Sequence, residues 1–251
     1  MLDRPYFRIA RPVVSAYGGS YVSGLSEKTY LCSNKYASDR IQQIRAYHVL
    51  EHDLIKIFEY VEPCDDNSAT YSFRLYEILL RAATEFESNC KLILVANSYD
   101  KSSSLNITDY YKLESAMRLS EYELRLPNWG PRSLIVAPMK AWSSSHTLAW
   151  YKAYNSVKHN RSEQFQEACL LRAVEALGAV LCLLYAQFAF LAFSENEEVA
   201  ILSRDSDGFE GHGDSLFTLK HPTSWTDDEK YNFTDEDFSH RENVMSDYQF
   251  A

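Results

Sequence analysis

No pair of cysteines in this chain has the CxxC spacing, although five are present (Cys32, Cys64, Cys90, Cys169 and Cys182). Their odd number and scattered positions support neither a paired-cysteine metal site nor a disulfide framework. Cys90, Cys169 and Cys182 fall within apolar helical patterns, where a reduced thiol behaves as a small hydrophobe, so a cytoplasmic location is expected. P-loop, GxGxxG and GxSxG signatures are also missing, and no cofactor is implied. His48 and Glu51-His52 fall on one helical stretch, but without HExxH or paired cysteines they imply no metal site. Basic charge is in deficit: 25 Lys and Arg stand against 35 Asp and Glu, a net charge of -10. That balance argues against a protein that coats nucleic acid or anionic membrane nonspecifically, while leaving room for a local basic pocket. The first residues contain no apolar run of signal-peptide length, so secretion is not expected. The sequons at Asn106, Asn160 and Asn232 should then stay unmodified. No repeat of fixed period is visible.

What is present is a globular composition, 46% apolar and 24% charged, with 18 Tyr and 13 Phe that point to an aromatic-rich core. Residues 1–40 read as an irregular N-terminal arm, with Gly18-Gly19 and Gly24 as turn signals for a small hairpin. From Ile41 the period changes. Ile44, Tyr47, Leu50, Leu54, Ile57 and Val61 recur at steps of three and four, predicting a helix that ends before Pro63. Leu75, Leu79, Ala82, Phe86, Cys90 and Ile93 predict a second helix over about residues 71–95. A shorter helix is expected over Thr108–Arg118, with Thr108 as its cap. Residues 122–126 and 133–137 flank Pro127-Asn-Trp-Gly-Pro131 as a small β-hairpin, and residues 147–157 are helical again.

The series Leu170, Val174, Leu177, Leu181, Leu184, Phe188 and Leu191 predicts one helix of about thirty residues beginning near Ser162. Within it, Ala176–Phe193 contains only Gln187 as a strongly polar residue and is of borderline length for a membrane span. The three-four stripe, the glutamates at 175, 195, 197 and 198, and the lack of a basic flank favour a buried core helix. A membrane-attached protein is the alternative. Residues 196–251 turn acidic and read as a partly ordered tail, which Ser215–Lys220, Trp225, Tyr231, Phe233 and Phe238 would tether to the body. The fold expected is therefore mainly α: a helical bundle over residues 41–195 with a long C-terminal core helix, a small hairpin and irregular arms at both ends.

One segment, Tyr154-Asn-Ser-Val-Lys-His-Asn-Arg161, has chemical potential. Asn160 followed by Glu163 fits a capping arrangement that would start the long helix there. A helix N-terminus presents unpaired N–H groups, and Lys158, His159 and Arg161 beside it would make an anion site, joined by Lys152. His159 among cations is a candidate general base or acid on a bound phosphodiester, with Asn155 to orient the imidazole or the ligand. The plainer alternative is a helix junction with solvated charges. Arg74, Glu77, Arg81 and Glu85 form a stripe of alternating sign, read either as an exposed ion-pair ladder or as Arg81 and Glu85 turning toward the Lys158–Arg161 junction. Ser143–Ser145 beside His146, and Gly211-His-Gly-Asp214, read as a helix start and a flexible turn.

A helical bundle with Asn155, Lys158, His159 and Arg161 just ahead of a long apolar helix resembles the HEPN superfamily. That family includes metal-independent ribonucleases of toxin and antiviral systems as well as noncatalytic helical modules. The resemblance implies a bacterial defence-type protein with His159 as the proton-transfer residue and Lys152 or Arg161 binding the scissile phosphate. It further implies a homodimer whose site both subunits build, with RNA or another phosphate-bearing ligand as partner. Active members carry an arginine a few residues ahead of the histidine, whereas here the upstream positions are Lys152, Ala153 and Tyr154, and Arg161 follows. The competing reading is a noncatalytic interaction module, a homodimer or scaffold for a protein partner.

Overall fold

Apolar stripes on three helices govern how this chain packs in the computed structural model, which describes residues 1–14, 29–100, 104–189, 202–212, 215–233 and 244–250. After a single turn, α1 (Thr29–Cys32), comes α2 (Arg40–Phe58), which buries Ile44, Tyr47, Leu50, Leu54 and Ile57 along one face. The next long helix, α3 (Phe73–Ala96), starts where the Ser72 hydroxyl accepts the Leu75 N–H at 3.2 Å, and it buries Leu75, Leu79, Ala82, Phe86, Cys90 and Ile93. Two short helices follow, α4 (Ile107–Tyr110) and α5 (Leu113–Met117). The continuous helix expected over 108–118 is thus broken. Its cap is Asn106, whose side chain accepts the Thr108 N–H at 3.0 Å, and it ends where Arg118 turns left-handed at φ 53°. The helix α6 (Ala149–His159) and the single turn α7 (Arg161–Gln164) lead into α8 (Leu170–Phe188), which packs against α2, α3 and α6.

The helix predicted to run unbroken from Ser162 is interrupted. After α7 the chain tightens into a 3-10 turn over Phe165–Glu167 and becomes extended at Cys169, with φ -90° and ψ 167°. The reason is tertiary. Cys169 bridges Tyr71, and the first N–H groups of α8 donate to the loop before α3, Leu170 to the Thr70 carbonyl at 2.8 Å and Leu171 to Ser68 at 3.0 Å. Backbone carbonyls from elsewhere thus satisfy donors that a continuous helix would have satisfied internally.

Every residue of α8 from Ala176 to Phe188 is buried, which explains why the helix is apolar all round. It is the one described helix long and apolar enough to cross a membrane, and 83% of that window lies inside the protein. Its close approach to the sheet needs Gly178, where a Cβ would stand 2.6 Å from Leu124 Cδ1. Gln187, the polar exception, belongs to a closed circuit of side chains. Arg8 donates to Gln187 at 3.2 Å, Gln187 to Asn89 at 2.9 Å, Asn89 to Gln43 at 3.0 Å and Gln43 to Asp39 at 3.0 Å. Asp39 closes the circuit by pairing with Arg8, which is buried with φ 57°. Buried polar groups so joined ease the cost of desolvation.

About half of the chain is helical, and a small antiparallel sheet completes it in the order β2-β1-β5-β4-β3. The strands are β1 (Glu123–Leu126), β2 (Leu134–Val136), β3 (Leu202–Arg204), β4 (Glu210–His212) and β5 (Thr218–Lys220). Leu124 stands opposite Val136 on one side and Leu219 on the other. One core draws on residues from Ile9 to Phe233. The N-terminal segment lies within it: Ile9 and Val13 are buried, Ala10 N–H donates to the Ala186 carbonyl at 2.8 Å, and the segment bridges Tyr231 in parallel. The acidic C-terminal stretch supplies β3 to β5 and buries Phe217, Leu219, Trp225, Tyr231 and Phe233, so tail describes its composition and not its packing. Gly18, Gly19, Gly24, Leu191 and Phe238 lie outside the described residues.

Candidate functional site

The residues singled out in the sequence lie on and just beyond α6. This helix buries Trp150, Tyr151, Ala153, Tyr154 and Val157 against α3 and α8. Trp150 donates to the Pro138 carbonyl at 2.9 Å and Tyr151 to Glu87 at 2.7 Å, which fixes the rotation of the helix. The other side is left to water. Lys152, Asn155 and His159 follow one another at steps of three and four and therefore share a face. Lys152 and His159 are exposed and Asn155 is half-buried. Among the described residues, none of these three side chains makes a hydrogen bond or ion pair, and Asn155 does not bond the imidazole.

Lys158 occupies the adjacent face. Its ammonium donates to the Tyr154 hydroxyl at 2.8 Å and lies 4.8 Å from that ring, and the hydrogen bond raises the lysine pKa. Arg161 turns the other way, with its guanidinium 5.7 Å from the rings of both Phe73 and Tyr76 at the start of α3. No carboxylate among the described residues pairs with Lys152, Lys158 or Arg161.

The electrostatic argument from a long-helix N-terminus is corrected by the break at Cys169. Asn160 precedes only the single turn α7, and its side chain donates to Glu163 at 2.7 Å instead of capping a backbone N–H. Lys158 and His159 stand at the C-terminal end of α6, where a helix dipole favours cations. The positive character of the junction therefore comes from its side chains alone.

Arg81 and Glu85 do not join this junction. Arg81 donates to Asp53 of α2 at 2.7 Å, while Arg74 pairs with Glu77 at 2.8 Å, so the stripe binds partly across the helix pair and partly along α3. Glu85 is half-buried and makes no hydrogen bond to Lys158, His159 or Arg161. Between the two helices lies a groove of about 350 Å³, lined by Asp53, Lys56, Tyr60, Arg74, Glu77 and Arg81 over a floor of Ile57 and Ile78.

Sequence periodicity passed over the aromatic cluster beneath Arg161. Phe165 stands 5.5 Å from Tyr71, 4.8 Å from Phe73 and 6.0 Å from Tyr76 between ring centroids. Phe73 and Tyr76 lie off the Leu75–Leu79–Ala82 stripe, and that displacement was the available signal. Elsewhere, Glu51 serves structure. It accepts Tyr47 Oη at 2.9 Å, His48 at 3.1 Å and the Leu216 N–H at 3.0 Å, tying α2 to the C-terminal stretch. Burial raises its pKa, but the bonds from His48, Leu216 and Tyr47 outweigh that and leave it below the usual value.

Ser143 ends a 3-10 turn, and His146 stacks on Tyr111 with centroids 3.9 Å apart. Among the described residues no group of three or more His, Cys, Asp and Glu could hold a metal ion. None of the five cysteines is in a disulfide. Comparison with protein-family models, curated proteins and solved structures returns no match to this chain.

Proposed function

We propose that the protein is a HEPN-like RNA-binding protein of a bacterial defence type, whose ligand lies across the α6–α7 junction. The observation that carries the reading is the grouping of Lys152, Asn155 and His159 on one exposed face of α6, flanked by Lys158 and Arg161. Within a chain of net charge -10, basic side chains that form no ion pair among the described residues stand where a phosphodiester would be attracted locally. In this reading Lys152 or Arg161 holds the scissile phosphate, Asn155 hydrogen-bonds the ligand, and His159 moves the proton without a metal or cofactor. One chain supplies one open face, so a cleavage site is completed by a second copy in a homodimer. The thiols of all five cysteines and the burial of α8 favour a cytoplasmic location over a membrane-attached one.

Purified protein should cleave RNA in the presence of EDTA, and His159→Ala should abolish cleavage while leaving the circular dichroism spectrum unchanged. Equal cleavage by the variant, or none across structured and unstructured RNAs, removes the catalytic reading. A noncatalytic module is the second reading, favoured by the His159 side chain having no orienting hydrogen bond among the described residues. It predicts a stable dimer or complex with a protein partner that His159→Ala does not disturb.

A further inference from the structure

We infer that the rings at the start of α3 form a stacking platform for unpaired bases, so that the ligand at the junction is single-stranded RNA. This inference rests on the RNA reading above and adds a second contact surface to it. Phe73 is 62% exposed and Tyr71 51% exposed, unusual for rings already gathered around Phe165. The core has not absorbed them, although burying them would have stabilised the fold.

Their backbone is held firmly. Ser72 caps α3, Tyr71 bridges Cys169, and Leu170 N–H donates to the Thr70 carbonyl at 2.8 Å. Ordering the rings on binding therefore costs little entropy.

Charge complementarity selects the occupant. Arg161 lies 5.7 Å from both Phe73 and Tyr76 and has no carboxylate partner among the described residues. Arg74 and Arg81, by contrast, pair with Glu77 and Asp53. Flat exposed rings beside an unneutralised guanidinium call for a ligand that alternates aromatic faces with negative charge. A single strand does so, with bases stacking on Phe73 and Tyr71 and a phosphate meeting Arg161. A duplex does not, because its base faces are already stacked within the helix.

The test is fluorescence anisotropy with a labelled oligouridylate, 2′-O-methylated to prevent cleavage, against a paired duplex of equal length. The single strand should bind at least about tenfold more tightly than the duplex. Phe73→Ala should weaken that binding by about fivefold or more, the loss expected from one stacked base, and Phe73→Trp should restore it. Val95→Ala, an exposed apolar change at the far end of α3, should leave it unchanged. Circular dichroism of Phe73→Ala should match the parent.

RNA binding that Phe73→Ala leaves intact, or equal affinity for the duplex, overturns the platform and leaves the RNA reading standing. Binding of neither probe overturns both. If Phe73→Ala leaves RNA binding intact but dissociates a dimer in sedimentation, the rings belong to a contact between copies and the platform is overturned.

Discussion

Two polar clusters in this molecule have opposite accounting. Around Gln187, five side chains from the N-terminal segment, the start of α2, α3 and α8 close a circuit in which Arg8, Asn89 and Gln187 are buried. At the α6–α7 junction, Lys152, His159 and Arg161 face water and take no carboxylate partner among the described residues. The first cluster has spent its hydrogen-bonding capacity on joining chain segments far apart in sequence. The second has kept its capacity, and it is the place where a ligand can add contacts without breaking any.

The sharpest way to test that contrast is to cut the circuit. Gln187→Leu leaves the Asn89 side-chain carbonyl and one Arg8 guanidinium nitrogen without the partner Gln187 gives them in the interior, and should cost about 3 kcal/mol of stability, read as a lower urea midpoint. Next in size is Gly178→Val, which forces α8 off Leu124 and should cost about 1–3 kcal/mol by the same measurement. Glu51→Gln should cost about 1–2 kcal/mol at neutral pH, because the carboxylate accepts bonds from Tyr47, His48 and Leu216.

That third variant also carries a pH signature. The folded-state pKa of Glu51 is lowered from 4.5, so its stabilisation is present above the unfolded value and fades as pH falls through the folded one. The difference between parent and Glu51→Gln should therefore shrink on acidification below pH 4.5 in thermal melts. At the other extreme, His159→Ala and Arg161→Ala should change stability by less than about 0.5 kcal/mol, since neither side chain is buried. A large loss from either would erase the contrast and make the junction a structural device.

Much of the helical layout was legible. The stripes of α2 and α3 appear where the spacing places them, except that α2 stops at Phe58, short of Val61, since a three-four apolar period buries as a helix on a core. The strand pair around Pro127–Pro131 was readable from its turn residues. The start of α8 was not. The apolar period runs through Ala168 and Cys169 without interruption, and only the carbonyls of Ser68 and Thr70, a hundred residues earlier in sequence, make the break favourable. The candidate site inherits that difference: Lys152, Asn155, Lys158 and His159 lie on α6 and Arg161 on the single turn α7, and the long-helix N-terminus expected beside them is removed by the break.

Phe73 illustrates the same limit at the level of one side chain. In sequence it is an aromatic residue beside a helix cap; only packing shows that it stays exposed under Arg161 while Phe86, further along α3, is fully buried.

By itself, then, the sequence determined the apolar stripes of α2 and α3, that α8 is apolar on every side, and that Lys158, His159 and Arg161 are close along the chain. Those properties follow from local period and composition. Only the tertiary structure decided where α8 begins, that the N-terminal segment and the acidic C-terminal stretch share its core, and which polar groups are paired and which remain open. Those outcomes depend on hydrogen bonds and contacts between residues distant in sequence, which no local pattern encodes.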